Sequence, residues 1–308
     1  MLGDLGLNQL DAFVALAPFY GGAAVLIRET VRRSGRGWTS FVLLALAYAL
    51  FEEGIVTQSL FNPNYLHLRL LDYGYVAALG TAIPWAIYVL GIHIAWSLAV
   101  PIGLAEASFS DRRTEPWLNK VGLVVVGLLF VAGATLVANF SRSDTPYRDS
   151  PAQLLVSAVL ILILIAAALF GPRAVARETE APATNPWLIG AACLTGGSAF
   201  LAAYALGTGE FAWPATTAIE ATVAAAILAF FAWAAARRWT ALQTWAAAAG
   251  GMLCYAWFGY FIDRDMHPPS GTPTHSVFVV IVVVIAIWAG IRTRRAAGAP
   301  SPHPAPVA

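Results

Sequence analysis

Long apolar stretches separated by short polar segments make up most of this chain. A helix that crosses a lipid bilayer needs about 20 mainly apolar residues. Nine stretches of suitable length fall near residues 10–28, 38–60, 76–107, 117–139, 151–171, 186–207, 212–236, 241–262 and 274–291. Backbone in lipid must satisfy its own hydrogen bonds, so these stretches are predicted to be helices. The predicted fold class is therefore all-α, a polytopic transmembrane helix bundle of about nine spans.

The composition agrees with a membrane environment. Of the 308 residues, 59% are hydrophobic and 11% are charged, whereas soluble domains carry about 25% charged residues. The net charge of +1 gives no reason to expect a nucleic-acid partner. The two cysteines, Cys193 and Cys254, lie inside apolar stretches and form no disulfide framework. We predict one transmembrane domain over residues 1–293 and a disordered cytoplasmic tail over 294–308, which is rich in Ala, Pro and Gly.

Basic residues predict the orientation of the bundle. Cytoplasmic loops of membrane proteins carry an excess of arginine and lysine. With the N-terminus outside, only four of the 18 basic residues lie in outer segments, and these are Arg69, Arg142, Arg148 and Arg264. Adding or removing one span would destroy this bias. The N-terminus is therefore predicted to lie outside and the C-terminus in the cytoplasm. The predicted location is the cell membrane, as a multi-pass protein of a bacterial plasma membrane.

Two further features concern the packing of the helices. Residues 76–107 would form a helix of about 48 Å, too long for a hydrocarbon core of about 30 Å. We therefore expect this span to tilt, kink or protrude, with Pro84 and Pro101 as the kink sites. Glycines such as Gly190 in the sixth span and Gly250 in the eighth predict close contact between neighbouring backbones.

Ionisable residues inside the predicted spans are the candidates for function, because a charge at membrane depth is costly. Glu52, Glu53 and Glu220 lie about 10–12 Å below the outer surface by helical rise, and His93 lies near the middle of the third span. We take Glu52, Glu53 and His93 as candidate catalytic groups and Glu220 as a candidate for substrate or proton binding. Glu106 lies near the cytoplasmic end of its span, where it is expected to reach water.

Each of these groups has a hydroxyl side chain four residues away, on the same face of its helix. The hydroxyl groups belong to Tyr48, Thr57, Ser97 and Thr216. A buried polar network needs such donors, so Tyr48, Thr57 and Ser97 join the candidate binding residues. Adjacent residues point about 100° apart, so the paired glutamates are not expected to share a face. The alternative interpretation is that all these groups only hydrogen-bond to neighbouring helices and lock the bundle.

The segment after the paired glutamates contains Asn62-Pro63-Asn64-Tyr65, which predicts a turn. This segment is either an amphipathic loop at the membrane interface or a lid over the two acids. In the second case Asn62, Asn64 and Tyr65 would contact the substrate. The outer histidines, which are His67, His267 and His275, have no metal-binding spacing, so neither a metal nor another cofactor is predicted.

The string Glu52-Glu53-Gly-Ile-Val-Thr57-Gln-Ser-Leu-Phe61 resembles the first motif of the CPBP (CAAX-processing-like) glutamate intramembrane proteases. The resemblance implies a bundle of about eight helices, in which Glu52 and Glu53 activate a water molecule and His93 assists. The chain departs from that pattern in three places. Thr57 occupies the position of the family's arginine, Val89 replaces the aromatic partner of the histidine, and the third motif is absent from the later spans.

These observations leave three classes of function open. The first is a small-molecule transporter or permease, in which protonation of the membrane acids would be coupled to movement of the substrate. The second is an intramembrane hydrolase with Glu53 as general base and His93 as its helper. The third is a non-enzymatic scaffold or sensor, although the short loops offer no large docking surface. The expected partners are the lipid bilayer and an unknown small-molecule or lipid substrate, and we rank the transporter first.

Overall fold

The computed structural model describes residues 11–172, 182–235, 239–266 and 272–298, together with Arg237. Within these residues nine long helices form the chain's framework. They are α1 (Phe13–Arg33), α2 (Trp38–Val56), α3 (Ile83–Ser108), α4 (Lys120–Asp144), α5 (Pro151–Phe170), α6 (Pro186–Glu210), α7 (Trp213–Ala235), α8 (Ala241–Met266) and α9 (Thr272–Gly298). Eight of the nine are long and apolar enough to cross a membrane, and the ninth, α8, has 26 residues. The predicted all-α polytopic bundle is confirmed.

The third span is shorter than the sequence predicts. Helix α3 begins at Ile83 and has 26 residues, which corresponds to about 39 Å. The residues before it form a small antiparallel hairpin of β1 (Tyr75–Val76) and β2 (Thr81–Ala82). Pro84 lies in the first turn of α3, where a missing N–H costs nothing. The prediction that Pro84 kinks this span is therefore wrong.

The ends of other helices also differ from the predicted bounds. Helix α1 ends at Arg33, beyond the predicted residue 28, and α2 ends at Val56, before the predicted residue 60. Helix α9 continues to Gly298, so the first residues of the predicted tail are helical. The rest of that predicted tail, residues 299–308, lies outside the described residues.

The two ends of the bundle bring together the segments that were predicted to lie on the same side. At one end, Arg28 donates to the carbonyl oxygen of Arg113 at 3.1 Å, which joins the end of α1 to the loop between α3 and α4. At the other end, Tyr73 donates to the carbonyl oxygen of Phe211 at 2.8 Å, which joins the loop before α3 to the loop between α6 and α7. This arrangement agrees with alternating spans. Which end faces the cytoplasm stays a prediction.

Helix α3 is the central element because it contributes to all three buried clusters. In the first cluster, Leu98 packs with residues of α1, α2 and α4. In the second, Trp85 packs with residues of α6 and α8. In the third, Leu104 packs with residues of α8 and α9. Helices α4, α5 and α7 lie at the periphery, since 11% of the most apolar stretch of each is buried, against 61% in α2. Exposed apolar faces of this extent require a lipid solvent.

Helices α6 and α8 touch through glycine, as the sequence predicts. A Cβ atom on Gly250 would lie 2.2 Å from the carbonyl oxygen of Gly190. That distance is far below van der Waals contact, and the neighbour is rigid backbone. The two helices can keep this separation only while position 250 has no side chain.

The Gly250→Ala variant is therefore expected to be less stable than wild type. The added methyl group must push the two backbones apart, and overpacking of this kind costs about 1–3 kcal/mol. Thermal unfolding in detergent measures the effect as a lower Tm. Gly127→Ala on α4 is the matched control, because no atom lies within 4 Å of its added Cβ. Equal Tm values for both variants would contradict the proposed contact.

Candidate functional site

Two acids of α2 and a histidine of α3 meet inside the bundle. Glu52, Glu53 and His93 are each 1% exposed. The Nε2 atom of His93 lies 2.7 Å from Oε1 of Glu53, and its Nδ1 atom lies 3.2 Å from Oε2 of Glu52. One ligand atom from each residue lies within 4.8 Å of the others, so the three could share a metal ion. We call these three residues the acid-histidine centre.

A change in helix geometry allows two adjacent glutamates to reach the same imidazole ring. Glu52–Val56 form a π-helical turn, and the backbone N–H of Thr57 donates to the carbonyl oxygen of Glu52, five residues earlier, at 2.8 Å. The expectation that the two acids point to different faces holds for a regular helix and is wrong here. Further π-helical turns occur at Ala17–Gly21 in α1 and at His93–Ala99 in α3. Such turns are frequent at functional sites, and here all three helices around the centre contain one.

Glu53 is the better satisfied of the two acids. Its Oε2 atom accepts hydrogen bonds from the hydroxyl groups of Thr57, at 3.0 Å, and Ser59. The indole N–H of Trp85 donates to the Ser59 hydroxyl at 3.3 Å and so fixes its orientation. With the contact to His93 on Oε1, Glu53 has three partners, which hold its carboxylate in one position.

Glu52 keeps unused hydrogen-bonding capacity. Tyr20 donates to its Oε1 atom, and the Tyr20 ring stacks on His93 with centroids 5.8 Å apart. Apart from the contact with His93, the Oε2 atom accepts no well-aligned hydrogen bond, and the buried hydroxyl of Tyr48 lies close enough to Glu52 to interact with it without forming one. The Ser97 hydroxyl lies 3.0 Å from Nδ1 of His93. The structure thus places Tyr48, Ser97 and Thr57 at the centre, as the sequence suggested, and adds Tyr20, Ser59 and Trp85.

The chain that follows α2 covers the centre from the side that was predicted to be outer. We call residues 57–67 the outer lid. Gln58 has a φ of +62°, a left-handed conformation that costs about 1–2 kcal/mol for a residue with a Cβ. Tyr65 is buried, and Asn62 donates to a hydroxyl group at the end of α4 at 3.2 Å. Asn64 lies on the exposed side of the lid, where its amide is 3.2 Å from His67.

A buried acid lies beside the lid. Asp149, between α4 and α5, is 7% exposed, and neither carboxylate oxygen forms a well-aligned hydrogen bond, although the Gln58 side chain lies close enough to interact. Burial raises the pKa of Asp149 to about 7, against smaller opposing effects of Gln58 and Arg142. The folded protein therefore holds a proton on Asp149 at pH values where the unfolded chain has lost it.

The Asp149→Asn variant is expected to have a flatter pH dependence of stability. An aspartate in an unfolded chain ionises near pH 4, and Asp149 in the folded protein ionises near pH 7. Between these values the folded state binds more protons, so wild-type stability falls as the pH rises. The variant should match wild type at about pH 4 and unfold at a higher temperature at about pH 8. Thermal unfolding at both pH values measures this, and parallel profiles would contradict it.

Glu220 lies apart from the acid-histidine centre. It is fully buried on α7, and neither of its carboxylate oxygens has a hydrogen-bond partner. It interacts electrostatically with Tyr88 and Tyr204, whose rings stack with centroids 4.3 Å apart. Thr216, one turn earlier, is bonded instead to the Tyr73 hydroxyl at 2.6 Å. Glu220 therefore forms a second polar position among α3, α6 and α7.

The Glu220→Gln variant is expected to fold normally. A charged carboxylate without a partner is unfavourable in a buried position, so the neutral acid suits the site better. Glutamine has the same size and no charge, and we expect a Tm within about 2 °C of wild type. A much lower Tm would show that Glu220 makes an ionic contact that stabilises the fold.

A second group of charges lies at the predicted cytoplasmic end. Glu106 is 3% exposed and accepts from Nε of Arg32 at 2.8 Å, and Nε of Arg28 lies 3.0 Å from it. The prediction that Glu106 reaches water is therefore wrong. Glu29 pairs with Arg28 at 3.1 Å and accepts the backbone N–H of Trp117 at 2.6 Å. This inner charge network joins α1, α3 and the loop after α3.

The helix bundle and its centre together define a polytopic membrane protein with a polar site enclosed by its first three helices. The chain belongs to an uncharacterized membrane protein family, whose family model matches residues 4–307. The suggested membership of the CPBP proteases is wrong, because this family accounts for nearly the whole chain. The position of the protease arginine is held by Thr57, which here hydrogen-bonds to Glu53. No curated protein and no solved structure gives a match.

Proposed function

We propose that the protein is a transporter for a small solute in a bacterial cell membrane, and that the solute binds at the acid-histidine centre. The observation that carries the proposal is the burial of Glu52, Glu53 and His93 among three helices that each contain a π-helical turn. Ionisable groups at membrane depth are typical of substrate and ion pathways. Interrupted helices form the binding sites of many transporters. The lipid bilayer is the partner that covers the apolar outer faces of the bundle.

The depth of the centre suggests how access would be controlled. His93 lies ten residues from the outer end of α3, or about 15 Å, and the distance to the inner end of α3 is longer. The outer lid closes the shorter route, because Thr57 and Ser59 bond directly to Glu53. Movement of the lid would break these bonds and open the centre to the outside. Opening and closing of a segment around a fixed site is a common switching motion.

The same contacts favour transport over hydrolysis. A general base must lie within hydrogen-bond reach of the water that it activates. Glu53 already has three partners, and both ring nitrogens of His93 are engaged. Neither group is free to accept a proton from water in this arrangement. A centre that holds a solute in an occluded state needs such contacts only until the solute replaces them.

Solid-supported membrane electrophysiology on proteoliposomes tests the proposal. A panel of inorganic cations, amino acids, organic acids and sugars is applied to wild type and to the Glu53→Gln variant. We expect one class of solute to give a current in wild type that falls at least about tenfold in the variant. Glu115→Gln is the control, because this acid is exposed in the loop between α3 and α4. Unchanged currents in Glu53→Gln, or no current with any class, would overturn the proposal.

A further inference from the structure

We infer that the acid-histidine centre binds a divalent transition-metal cation, with Glu52, Glu53 and His93 as its protein ligands. The inference rests on the proposed function and deepens it, because it names the class of solute. The three potential ligand atoms lie within 4.8 Å of one another. Two ligands that are each about 2.2 Å from one ion are at most about 4.4 Å apart. Glu52 and Glu53 now contact different nitrogens of His93, so one carboxylate would move to the side of the other for all three residues to bind one cation.

With both carboxylates ionised, the charge of the centre is unbalanced without a cation. Two adjacent carboxylates are buried there, and a protonated His93 can offset only one of them. In the described part of the chain no lysine or arginine forms an ion pair with Glu52 or Glu53, and His93 is the partner of both. Buried charges need compensation nearby. A divalent cation beside a neutral imidazole would balance both carboxylates.

Two poorly satisfied polar groups lie beside the ligands. The Oε2 atom of Glu52 and the hydroxyl of Tyr48 are buried without a well-aligned hydrogen bond, although Oε2 contacts His93 and Tyr48 lies close enough to Glu52 to interact with it. Buried polar atoms normally have partners, so these atoms suggest a place for an ion and a coordinated water. The ligands are also held by outer contacts, as metal ligands usually are. The residues that make them are Tyr20, Thr57, Ser59 and Ser97.

The donor atoms indicate the kind of metal. One imidazole with two carboxylates suits borderline cations such as Zn²⁺, Fe²⁺ and Mn²⁺. Copper(I) prefers sulfur ligands, and the two cysteines are packed elsewhere, between α6 and α8. Calcium takes six to eight oxygen ligands, more than this centre offers. No metal motif is visible in the residue pattern because the ligands come from two helices, with His93 lying 40 positions after Glu53.

Metal analysis of the purified full chain in nanodiscs tests the inference. The protein is stripped with EDTA, incubated with ZnCl₂ or MnCl₂, freed of unbound metal and analysed by mass spectrometry for bound ions. We expect about one ion per wild-type chain, and at least about tenfold weaker binding in Glu53→Gln and His93→Gln. Glu115→Gln should bind as wild type does. Wild-type binding in both ligand variants would overturn the inference, since it would place the metal elsewhere.

A measurement on the wild type alone covers the case in which the ligand variants fail to fold. Co²⁺ added to the stripped protein should give visible absorption bands from direct nitrogen and oxygen ligation, and Zn²⁺ should remove them. The absence of bands that Zn²⁺ displaces would overturn the inference.

The current measurements separate this inference from the transport proposal. Metal binding with a metal-dependent current supports both. Metal binding without any solute current supports a resident metal and overturns transport. A current with another class of solute, in a protein that binds neither Zn²⁺ nor Mn²⁺, overturns the metal site and leaves transport standing.

Discussion

The His93→Ala variant is expected to lose both solute-dependent current and much of its stability. Replacing His93 leaves Glu52 and Glu53 buried side by side, with no other ionic partner among the described residues. Removing one member of a buried ionic group costs about 3–5 kcal/mol, because the remaining charge is uncompensated. For a chain of this size each kcal/mol lowers Tm by about 2–4 °C. Thermal unfolding in detergent should therefore show a Tm lower by about 10 °C.

A neutral version of the centre separates function from stability. The triple variant E52Q/E53Q/H93Q removes all three ionisable groups and keeps the side chains close to their original size. Replacing a buried ionic group by neutral groups of similar volume is often harmless to stability. We expect a Tm near that of wild type and no solute current. A triple variant that still conducts would show that the centre only holds the helices together.

This pair of variants addresses the alternative that the polar residues merely lock the bundle. A purely structural network should be replaceable by neutral groups without loss of function. Three ionisable side chains in an apolar core break the rule that buried positions are apolar, and natural proteins break such rules mainly at functional sites. The π-helical turns of the three helices around the centre are a second departure from regular structure.

The sequence predicted the helices well because lipid permits little else. Apolar stretches of about 20 residues must form helices in a bilayer, so their number and order follow from hydropathy. The start of α3 was missed because the residues of the hairpin are also largely apolar. Gly74 and Gly80, with φ values of +82° and +67°, allow the chain to turn there. Hydropathy does not register that difference.

The candidate site could be predicted only in part. Glu52, Glu53 and His93 are conspicuous because acids and imidazoles are rare at membrane depth. Tyr20, Ser59 and Trp85 were missed because hydroxyl and indole groups are common in membrane helices. Their contact with the centre depends on how three separate segments are packed. A change in helix register such as the π-helical turn of α2 also leaves no pattern in the residues.

Depth alone was not enough to assign Glu220. It lies at a depth similar to that of the paired acids, but the direction in which its helix face points decides its neighbours. In the structure these neighbours are Tyr88 and Tyr204. Residue spacing predicts the face that Glu220 shares with Thr216, and it does not predict which helix that face meets.

The Glu106→Gln variant is expected to show the second large loss of stability. Glu106 has two cationic partners, Arg28 and Arg32, and the Arg28 side chain is fully buried. The amide would leave Arg32 without its carboxylate partner and Arg28 with Glu29 alone, at a cost of about 3–5 kcal/mol. A Tm lower by about 10 °C is expected in detergent. Glu115→Gln breaks an exposed pair with a 3.7 Å separation and should change Tm little.

The inner charge network also bears on the transport proposal, because it fixes α1 to α3 at the end opposite the outer lid. If this joint acts as the fixed point of the motion, Glu106→Gln should lower the solute current only as far as it lowers the amount of folded protein. Currents normalised to folded protein in the proteoliposomes measure this. A current that disappears while the chain remains folded would mean that the inner network itself moves during transport, and the outer lid would then not be the only gate.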